Sequence, residues 1–255
     1  MKIAIVGFGR MGKKIREIAE EQENEIISII DPWSPSPLVT GLSINDETLS
    51  DTIDVVIDFS SPTQVVENMS YYIQHGIPAV IGTTGWYEKL PYITQLVEEN
   101  AHSSLIYSGN FSVGVALYRE VVAYASRLFG KLGTYDISLN ESHHKEKKDS
   151  PSGTALLLGQ TILDNFEGKD TIVTERLDRK REANELHVSS TRCGWDPGTH
   201  HVVIDSQADT VELIHRARSR EGFARGALVA AQWIQQKKGL FTLDDFIADL
   251  MSSTK

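Results

Sequence analysis

One short stretch of the chain, residues 141–154, brings together side chains that could move protons and bind anions. His143, His144 and Lys147 come first. A histidine with an ordinary pKa of about 6.5 exchanges protons at neutral pH, and a lysine places positive charge beside an anion. The combination predicts chemistry on an acidic substrate that gains or loses a proton.

A helix is predicted to begin directly after these residues. Ser150 can cap it, and Pro151 fits its first position, where a missing N–H costs nothing. The N–H groups of Ser152, Gly153 and Thr154 would then point out of the helix end, and Gly153 has no side chain to keep a ligand away. Such an end binds anions through its open donors and its dipole, so the sequence predicts an anion site here.

A second motif stands at the start of the chain. Residues 2–6 are typical of a short buried strand, and Gly7-Phe8-Gly9-Arg10-Met11-Gly12 leads into a helical pattern. GxGxxG between a strand and a helix is the dinucleotide-binding fingerprint. Asp31 closes the next strand at roughly the expected ~20-residue spacing, where a carboxylate accepts hydrogen bonds from the adenosine ribose. The alternative, a tight turn without a cofactor and an ordinary strand-end aspartate, is less favoured in this context.

The elements that would position these loops alternate along the first half of the chain. Strands are predicted at residues 25–30, 54–59, 78–81 and 103–107, with helical patterns between most of them. This alternation predicts an α/β fold with a Rossmann-like, doubly wound parallel sheet. Ligands bind beyond the carboxyl ends of such strands. Two further loops follow strand ends and are predicted to join the cofactor site, although each alone could be plain loop chemistry: Gly82-Thr83-Thr84-Gly85 and Ser108-Gly109-Asn110-Phe111.

The second half changes character after residue 135. Alternating segments at 135–139, 186–192, 201–206 and 211–218 predict a mostly antiparallel sheet in a second, α+β domain. The charged stretch 167–184 is predicted to be exposed. Helices near 223–233 and 242–251, the second capped by Thr242, are expected to return to the first domain. The predicted domains are therefore residues 1–112 plus 219–255, which bind the dinucleotide, and residues 113–218, which bind the substrate.

Bulk composition excludes several functional classes. The 255 residues carry a net charge of −10, which argues against a nucleic-acid or membrane-surface partner. No apolar run approaches the roughly 18–20 residues needed to span a bilayer. A single cysteine, Cys193, excludes an internal disulfide and suits a reducing, cytoplasmic location.

Residues 141–155, Glu-Ser-His-His-Lys-Glu-Lys-Lys-Asp-Ser-Pro-Ser-Gly-Thr-Ala, resemble a long family signature. It is the E-x-H-H-x-x-K-x-D-x-P-S-G-T-A run of 4-hydroxy-tetrahydrodipicolinate reductases, formerly dihydrodipicolinate reductases. Residues 7–12, 82–85 and 110–114, and the run from 219 to 227, resemble other loops of that family in the same order. Ser108-Gly109 departs from the more usual Ala-Pro, and in the run 194–200 only the glycines and His200 fit the family pattern.

The resemblance implies an enzyme of the diaminopimelate route to lysine, with a cyclic dicarboxylate imine as its substrate. His143 matches the family's acid/base and Lys147 its proton donor, while His144, Gly153 and Thr154 match substrate-binding positions. The family is usually a homotetramer built through the substrate-domain sheets. The resemblance also implies NADH or NADPH as cofactor. Asp31 favours a free 2′-hydroxyl, and no arginine follows it at once, so NADH is predicted to serve at least as well as NADPH.

Several alternatives remain beside this interpretation. Adjacent His143 and His144 on a strand would point to opposite faces, so at most one need be functional, and the lysines could be a solvated loop. A metal site using both histidines with His200 and His201 lacks the cysteine or carboxylate spacing of zinc, and no metal is predicted. The competing functions are another two-domain nicotinamide-dependent oxidoreductase and a dinucleotide sensor without catalysis.

Overall fold

A computed structural model of the chain describes residues 1–44, 49 and 52–252, so part of the predicted loop 32–50 lies outside the described residues. Contacts divide the chain into two units, Met1–Val113 with Arg220–Lys255, and Gly114–Ser219. Both junctions fall one residue after the predicted domain boundaries. None of the described helices is long and apolar enough to cross a membrane.

The first unit is built on a six-stranded sheet. Its strands are β1 (Lys2–Val6), β2 (Glu25–Ile30), β3 (Val55–Asp58), β4 (Ala79–Ile81), β5 (Ser104–Tyr107) and β11 (Gly239–Thr242). They lie in the order β2–β1–β3–β4–β5–β11, and every neighbouring pair is parallel. This confirms the predicted Rossmann-like sheet. The sequence did not predict β11, which is a short, half-buried strand at the edge of the sheet.

The described part of this unit has five helices beside the sheet, each with buried apolar residues. They are α1 (Arg10–Glu21), α2 (Val65–Gln74), α3 (Leu90–Glu98), α6 (Glu221–Ile234) and α7 (Leu243–Ser252), with a 3₁₀ turn at Tyr87–Lys89. In α1 the buried residues Ile15, Ile18 and Ala19 recur at helical spacing, as predicted. Thr242 caps α7, because its hydroxyl accepts a hydrogen bond from the Asp245 N–H at 3.3 Å.

The second unit is a five-stranded sheet with two helices. Its strands are β6 (Asp136–His143), β7 (Thr171–Val173), β8 (Glu185–Arg192), β9 (Thr199–Asp205) and β10 (Thr210–Arg216); its helices are α4 (Val113–Gly130) and α5 (Gly153–Leu163). The strand order is β10–β9–β6–β8–β7. The predicted α+β domain is therefore present.

The sheet of this unit is mixed, so the prediction of a mostly antiparallel sheet needs correction. β9 is antiparallel to both of its neighbours, whereas β8 is parallel to both β6 and β7. Parallel neighbours need a crossover connection, and α5 supplies one between β6 and β8. The strand β7 lies inside the stretch predicted to be exposed, and three residues are too few to show an alternating pattern.

Alternation along β6 decides which of its side chains enter the core. Ile137, Leu139, Glu141 and His143 are buried, and the residues between them are exposed or half-buried. Ile137 and Leu139 pack in one apolar cluster with Val122 of α4 and residues of α5. The same two-residue period places the ionisable side chains of Glu141 and His143 on the buried face of the strand.

Candidate active site

The glycine loop of the first unit is shaped by close backbone approach. Gly7 adopts a φ of +86°, and a side chain there would lie 2.2 Å from the Phe59 carbonyl oxygen. A side chain at Gly12 would lie 2.1 Å from the Gly7 carbonyl oxygen. Gly9 differs, because a side chain there would meet nothing within 4 Å. The outer two glycines therefore fold the loop, and the middle one leaves open space in front of it.

The start of α1 faces that open space. Gly9 is the N-cap, no side chain caps the helix, and its first turn holds no acidic residue. A cavity of about 320 Å³ lies here. It brings together predicted cofactor residues from two loops, with three neighbours: Gly9, Arg10, Met11, Gly12, Gly82, Thr83 and Thr84, beside Phe59, Ser60 and Pro62. Uncapped N–H groups and a positive helix end make this cavity suited to phosphate.

Asp31 is buried at the end of β2, and both of its carboxylate oxygens are engaged. One oxygen accepts from the Phe8 N–H at 2.6 Å, and the other accepts from Trp33 and Ser34 at 2.7 and 3.0 Å. The carboxylate thus joins the glycine loop to the loop after β2. Asp31 also lines a cavity of about 240 Å³ with Gly7 and Gly9. An anionic carboxylate beside this cavity disfavours a second anion there.

Asp58 also joins two loops, and this role was not predicted from the sequence. It is fully buried at the end of β3. Its oxygens accept from the Ser60 N–H and the Asn68 amide at 2.9 Å each, from the Tyr72 hydroxyl at 2.9 Å and from the Thr83 hydroxyl at 3.3 Å. Burial raises the pKa of Asp58, against the effect of these hydrogen bonds. Ser60 and Thr83 both line the phosphate-suited cavity, so Asp58 fixes its wall.

The remaining predicted cofactor loop is a compact turn after β5. The Ser108 hydroxyl bonds both the carbonyl and the N–H of Asn110, and the Asn110 side chain accepts from the Ser112 N–H at 2.8 Å. Phe111 is buried, with its ring 6.3 Å from the Phe59 ring. A side chain at Gly109 would lie 3.4 Å from Thr84. This loop therefore lies beside the Gly82–Thr84 loop but lines neither described cavity.

In the second unit, the predicted start of α5 needs correction. Ser152 is the N-cap, not Ser150, and its hydroxyl accepts from the Ala155 N–H at 3.1 Å. The Ser152 N–H is also not open, because it donates to Glu141 at 2.9 Å. The helix end offered to a ligand is thus Gly153 and Thr154. A side chain at Gly153 would meet nothing within 4 Å, so no neighbouring atom crowds this position.

Glu141 lies under this helix end and is completely buried. Its Oε1 accepts from the Ser152 N–H at 2.9 Å, the Ser190 hydroxyl at 3.0 Å and the Arg192 guanidinium at 2.8 Å. Burial acts to raise the pKa of Glu141, but the hydrogen bonds from Ser152, Arg192 and Ser190 outweigh it and the pKa is lowered. Glu141 is therefore an ionised carboxylate at neutral pH.

His143 ends β6 on the same face as Glu141. Its side chain is buried, and its Nδ1 lies 3.2 Å from Glu141 Oε2. Burial lowers the pKa of His143, with the Glu141 charge acting against it and the charges of Lys147 and Arg192 adding to it. His143 is thus mainly neutral at pH 7. His144 follows the strand end and is only half-buried, so the two histidines do occupy different surroundings.

A third histidine approaches the same carboxylate. His200 Nε2 lies 3.7 Å from Glu141 Oε2, and the rings of His200 and His143 are 5.4 Å apart. Burial lowers the pKa of His200 to about 4. Ligand atoms of Glu141, His143 and His200 lie within 4.8 Å of one another. Glu141 therefore supplies the carboxylate that was missing from the metal site considered for the histidines alone. The Arg192 guanidinium on Glu141 opposes a cation there.

Lys147 and the helix end share one internal anion. Lys147 Nζ lies 2.8 and 2.9 Å from the two oxygens of Asp149. The Lys147 ammonium, with help from the Gly153 N–H, lowers the pKa of Asp149. Two groups predicted to meet a substrate carboxylate thus already hold a carboxylate of the chain itself.

The geometry therefore groups the predicted residues in two places. The glycine loop, Asp31 and the Gly82–Thr84 loop cluster in the first unit; His143, Lys147, Gly153 and Thr154 lie on neighbouring segments of the second. The carboxylates behind them, Asp58 and Glu141, were not predicted from the sequence. Their signal was present in the sequence as an acid that interrupts or ends an otherwise apolar strand pattern.

Comparison with known proteins gives the same division. A family model described as Dihydrodipicolinate reductase, N-terminus, matches residues 1–111, and one described as Dihydrodipicolinate reductase, C-terminus, matches residues 114–247. A 4-hydroxy-tetrahydrodipicolinate reductase of Christiangramia forsetii is 37% identical over 254 residues, 99% of this chain and 100% of the relative. That of Clostridium novyi is 35% identical over 246 residues, 94% of each chain.

Solved structures agree with these sequence matches. A dipicolinate-bound dihydrodipicolinate reductase from Paenisporosarcina sp. TG-14 superposes with a TM-score of 0.77 at 25% identity, covering 95% of this chain and 97% of that one. An engineered D-amino acid dehydrogenase bound to NADP+ has a TM-score of 0.54 at 17% identity, covering 96% of this chain and 93% of that one. The second similarity is one of fold.

Proposed function

The chain belongs to the dihydrodipicolinate reductase family, and on this premise we propose that it reduces 4-hydroxy-tetrahydrodipicolinate, or its dehydrated form, to tetrahydrodipicolinate. The reaction belongs to the diaminopimelate route to lysine, and a reduced nicotinamide is the cofactor. One observation carries the proposal. A buried histidine, a lysine and a helix N-terminus follow one another within residues 143–154, which is what a dicarboxylate substrate that takes up a proton requires.

The first unit fits a dinucleotide. The open space in front of Gly9, the uncapped start of α1 and the absence of an acid in its first turn suit a diphosphate. Residues 7–12 and 82–84 bind and orient the cofactor, and the turn at residues 108–111 supports the second of these loops. Bound there, the reduced nicotinamide supplies the hydride.

The second unit binds the substrate and handles the proton. Gly153 and Thr154 offer N–H donors to one carboxylate. Lys147 contributes a positive charge, and His144 contributes a hydrogen bond. Hydride addition to a ring carbon leaves an electron-rich ring, which takes up one proton. Lys147 donates this proton, and His143 serves as the acid/base that exchanges it. A mainly neutral His143 can accept a proton and, as the imidazolium, release it again.

For the cofactor we propose that NADH serves at least as well as NADPH. The Asp31 carboxylate lies beside the 240 Å³ cavity and repels a 2′-phosphate. Arg10, Lys13 and Lys14 are near enough in sequence to help hold that phosphate, and of these Lys14 is held by Glu17 at 2.6 Å. Comparison of kcat/KM for the two cofactors is the test. A preference for NADPH above about tenfold, or ~1.4 kcal/mol, would contradict the proposal.

We also propose a homotetramer, assembled through the second unit, in the cytoplasm. Leu117, Val121, Tyr124 and Leu128 lie on one face of α4 and are at least 38% exposed, and an exposed apolar face of this kind marks an interaction surface. The exposed, unpaired Cys193 suits a reducing compartment. Light scattering during gel filtration should give four times the chain mass of 28.4 kDa; a mass equal to one chain would contradict the tetramer.

The decisive experiment is NADH oxidation by the purified protein, with the imine generated freshly from pyruvate and aspartate semialdehyde by its synthase. We expect oxidation that depends on the synthase and that falls by about 10²–10⁴-fold in His143→Gln, the usual contribution of general acid–base catalysis. NADH binding should be unchanged in that variant. The matched control is His102→Gln, an exposed histidine of the first unit. Full activity in His143→Gln would contradict the assigned role, and no oxidation by the unaltered protein would contradict the function.

A further inference from the structure

The two oxygens of the Glu141 carboxylate are used differently. Oε1 accepts three hydrogen bonds, from the backbone before α5 and from two side chains of β8. Oε2 is buried and has no aligned hydrogen-bond donor among the described residues. A buried carboxylate oxygen without a donor costs free energy, so the surroundings of Oε2 deserve a functional explanation.

A buried nitrogen of His143 faces Oε2. This nitrogen, Nδ1, is 3.2 Å away and is likewise without an aligned partner. His200 Nε2 lies farther away, at 3.7 Å, and has the Ser152 hydroxyl at 3.4 Å as a second neighbour. A carboxylate can only accept hydrogen bonds. One proton on His143 Nδ1 would therefore satisfy both orphan atoms after a small rotation of the imidazole ring.

The other nitrogen of His143 is kept clear by a glycine. Gly198 adopts a φ of +144°, and a side chain there would lie 2.9 Å from His143 Nε2. A larger residue would be strained and would also press on this nitrogen. The fold thus presents Nδ1 to a fixed carboxylate and leaves Nε2 unobstructed on that side.

From this geometry we propose that Glu141 is the positioning residue of His143. Its carboxylate, held in place through Oε1, keeps the proton of the neutral imidazole on Nδ1 and so reserves Nε2 for proton exchange with the reacting groups. When Nε2 gains a proton, the same carboxylate stabilises the imidazolium. The task given to Nε2 rests on the proposed function, whereas the position of the proton does not.

Several other charges face His143 and will shape its pH response. Lys147 follows it on the same segment, Arg192 lies on β8, and Asp196 lies in the loop before β9. His200 faces it from β9. The Lys147 and Arg192 charges oppose protonation of His143, and the Glu141 and Asp196 charges favour it. Loss of the Glu141 charge should therefore move the pKa of His143 further down.

Glu141→Gln separates this proposal from a purely structural role. The three donors on Oε1 require the amide oxygen of the glutamine on their side, which turns its NH₂ group towards His143 Nδ1. Because an amide NH₂ only donates, Nδ1 must then accept, and the proton moves to Nε2. The variant should thus invert the histidine tautomer while keeping the same volume.

The test begins with nitrogen NMR of the full-length protein labelled with [¹⁵N]histidine, with His143 assigned by its absence in His143→Gln. We expect the Nδ1–H tautomer in the unaltered protein and the Nε2–H tautomer in Glu141→Gln. An Nε2–H tautomer in the unaltered protein would overturn the proposal. This measurement needs neither substrate nor turnover, and it remains decisive if Glu141→Gln does not fold.

Kinetics then test the consequence. We expect kcat of Glu141→Gln to fall about 10²-fold, with the KM for NADH unchanged and the pH profile shifted to lower pH. The matched control is Glu146→Gln, the same substitution at an exposed position of the following loop, which should change neither. An unchanged kcat and pH profile in a folded Glu141→Gln would overturn the proposal. Absence of activity in the unaltered protein would instead overturn only the proposed function.

Discussion

Among the described residues, each unit buries one carboxylate completely near the end of a strand, Asp58 in the first and Glu141 in the second. Burial acts to raise the pKa of both, yet the pKa of Asp58 is raised and that of Glu141 is lowered. The difference lies in their partners. The hydrogen bonds described for Asp58 come from backbone, amide and hydroxyl groups, whereas Glu141 also accepts from the guanidinium of Arg192.

This contrast shows that burial alone does not define the task of an acid. Neutral donors satisfy the oxygens of Asp58 without supplying a counter-charge, so its effect is to hold Ser60 and Thr83 in position. Hydrogen bonds from Ser152 and from the Arg192 guanidinium keep Glu141 ionised, and a fixed negative charge can then act on the two imidazoles beside it. The first carboxylate organises a binding wall, and the second sets a protonation state.

Kinetics should separate the two carboxylates by the largest margin. Glu141→Gln is expected to lower kcat about 10²-fold. Asp58→Asn should leave kcat nearly unchanged and raise the KM for NADH about fivefold, because one weakened hydrogen bond is worth about 1 kcal/mol. Steady-state NADH oxidation measures both. A large fall in kcat for Asp58→Asn with unchanged NADH binding would contradict the assignment of Asp58 to binding and Glu141 to catalysis.

Stability should depend on pH with opposite signs at the two positions. The folded pKa of Asp58 is raised, so its contribution is present below the unfolded value of about 3.9 and is lost as pH rises through the folded pKa. The folded pKa of Glu141 is lowered, so its contribution is present above about 4.3 and is lost as pH falls through the folded pKa.

Urea unfolding between about pH 2.5 and 7 checks these signs. The free energy of unfolding of the unaltered protein, minus that of Asp58→Asn, should decrease as pH rises. The same difference taken against Glu141→Gln should increase over the acid part of the range. Two differences that change in the same direction would show that the partners of the two acids are not what distinguishes them.

Local sequence signals were sufficient for the parts of the site that local geometry determines. Periodicity predicted the parallel sheet, and GxGxxG predicted a turn whose outer glycines are required by contacts within 3 Å. The partners of Glu141 could not be predicted in this way. Ser190 and Arg192 lie 49 and 51 residues away, and they reach Glu141 only through the parallel register of β6 with β8.

The start of α5 shows the same limit at short range. Both Ser150 and Ser152 have the chemistry of an N-cap, and propensity alone favoured the one before Pro151. The contact that accompanies the real cap is tertiary, because the N–H of Ser152 donates to the buried Glu141. The hydrogen bonds of Asp58 are likewise tertiary, because one of them comes from Thr83, which is 25 residues away.

The smallest expected effect concerns a third carboxylate, which is exposed rather than buried. Asp149 holds Lys147 and the Gly153 N–H, the groups proposed to meet a substrate carboxylate. The substrate must therefore displace an internal anion, but an exposed ion pair is worth no more than about 1 kcal/mol. Asp149→Asn should lower the KM for the imine about threefold, with kcat and the KM for NADH unchanged.

A matched control is Asp164→Asn at the other end of α5, which removes an exposed acid remote from that helix end. If Asp149→Asn instead raised the KM, Asp149 would be holding Lys147 in its working position rather than competing with the substrate. That result would make Asp149 a counterpart of Glu141, acting on the lysine as Glu141 acts on the histidine. A lower KM would mean that Asp149 does not position Lys147. Glu141 would then be the carboxylate of this unit that positions a neighbour by its charge, because the low dielectric around a buried group strengthens the effect of one charge.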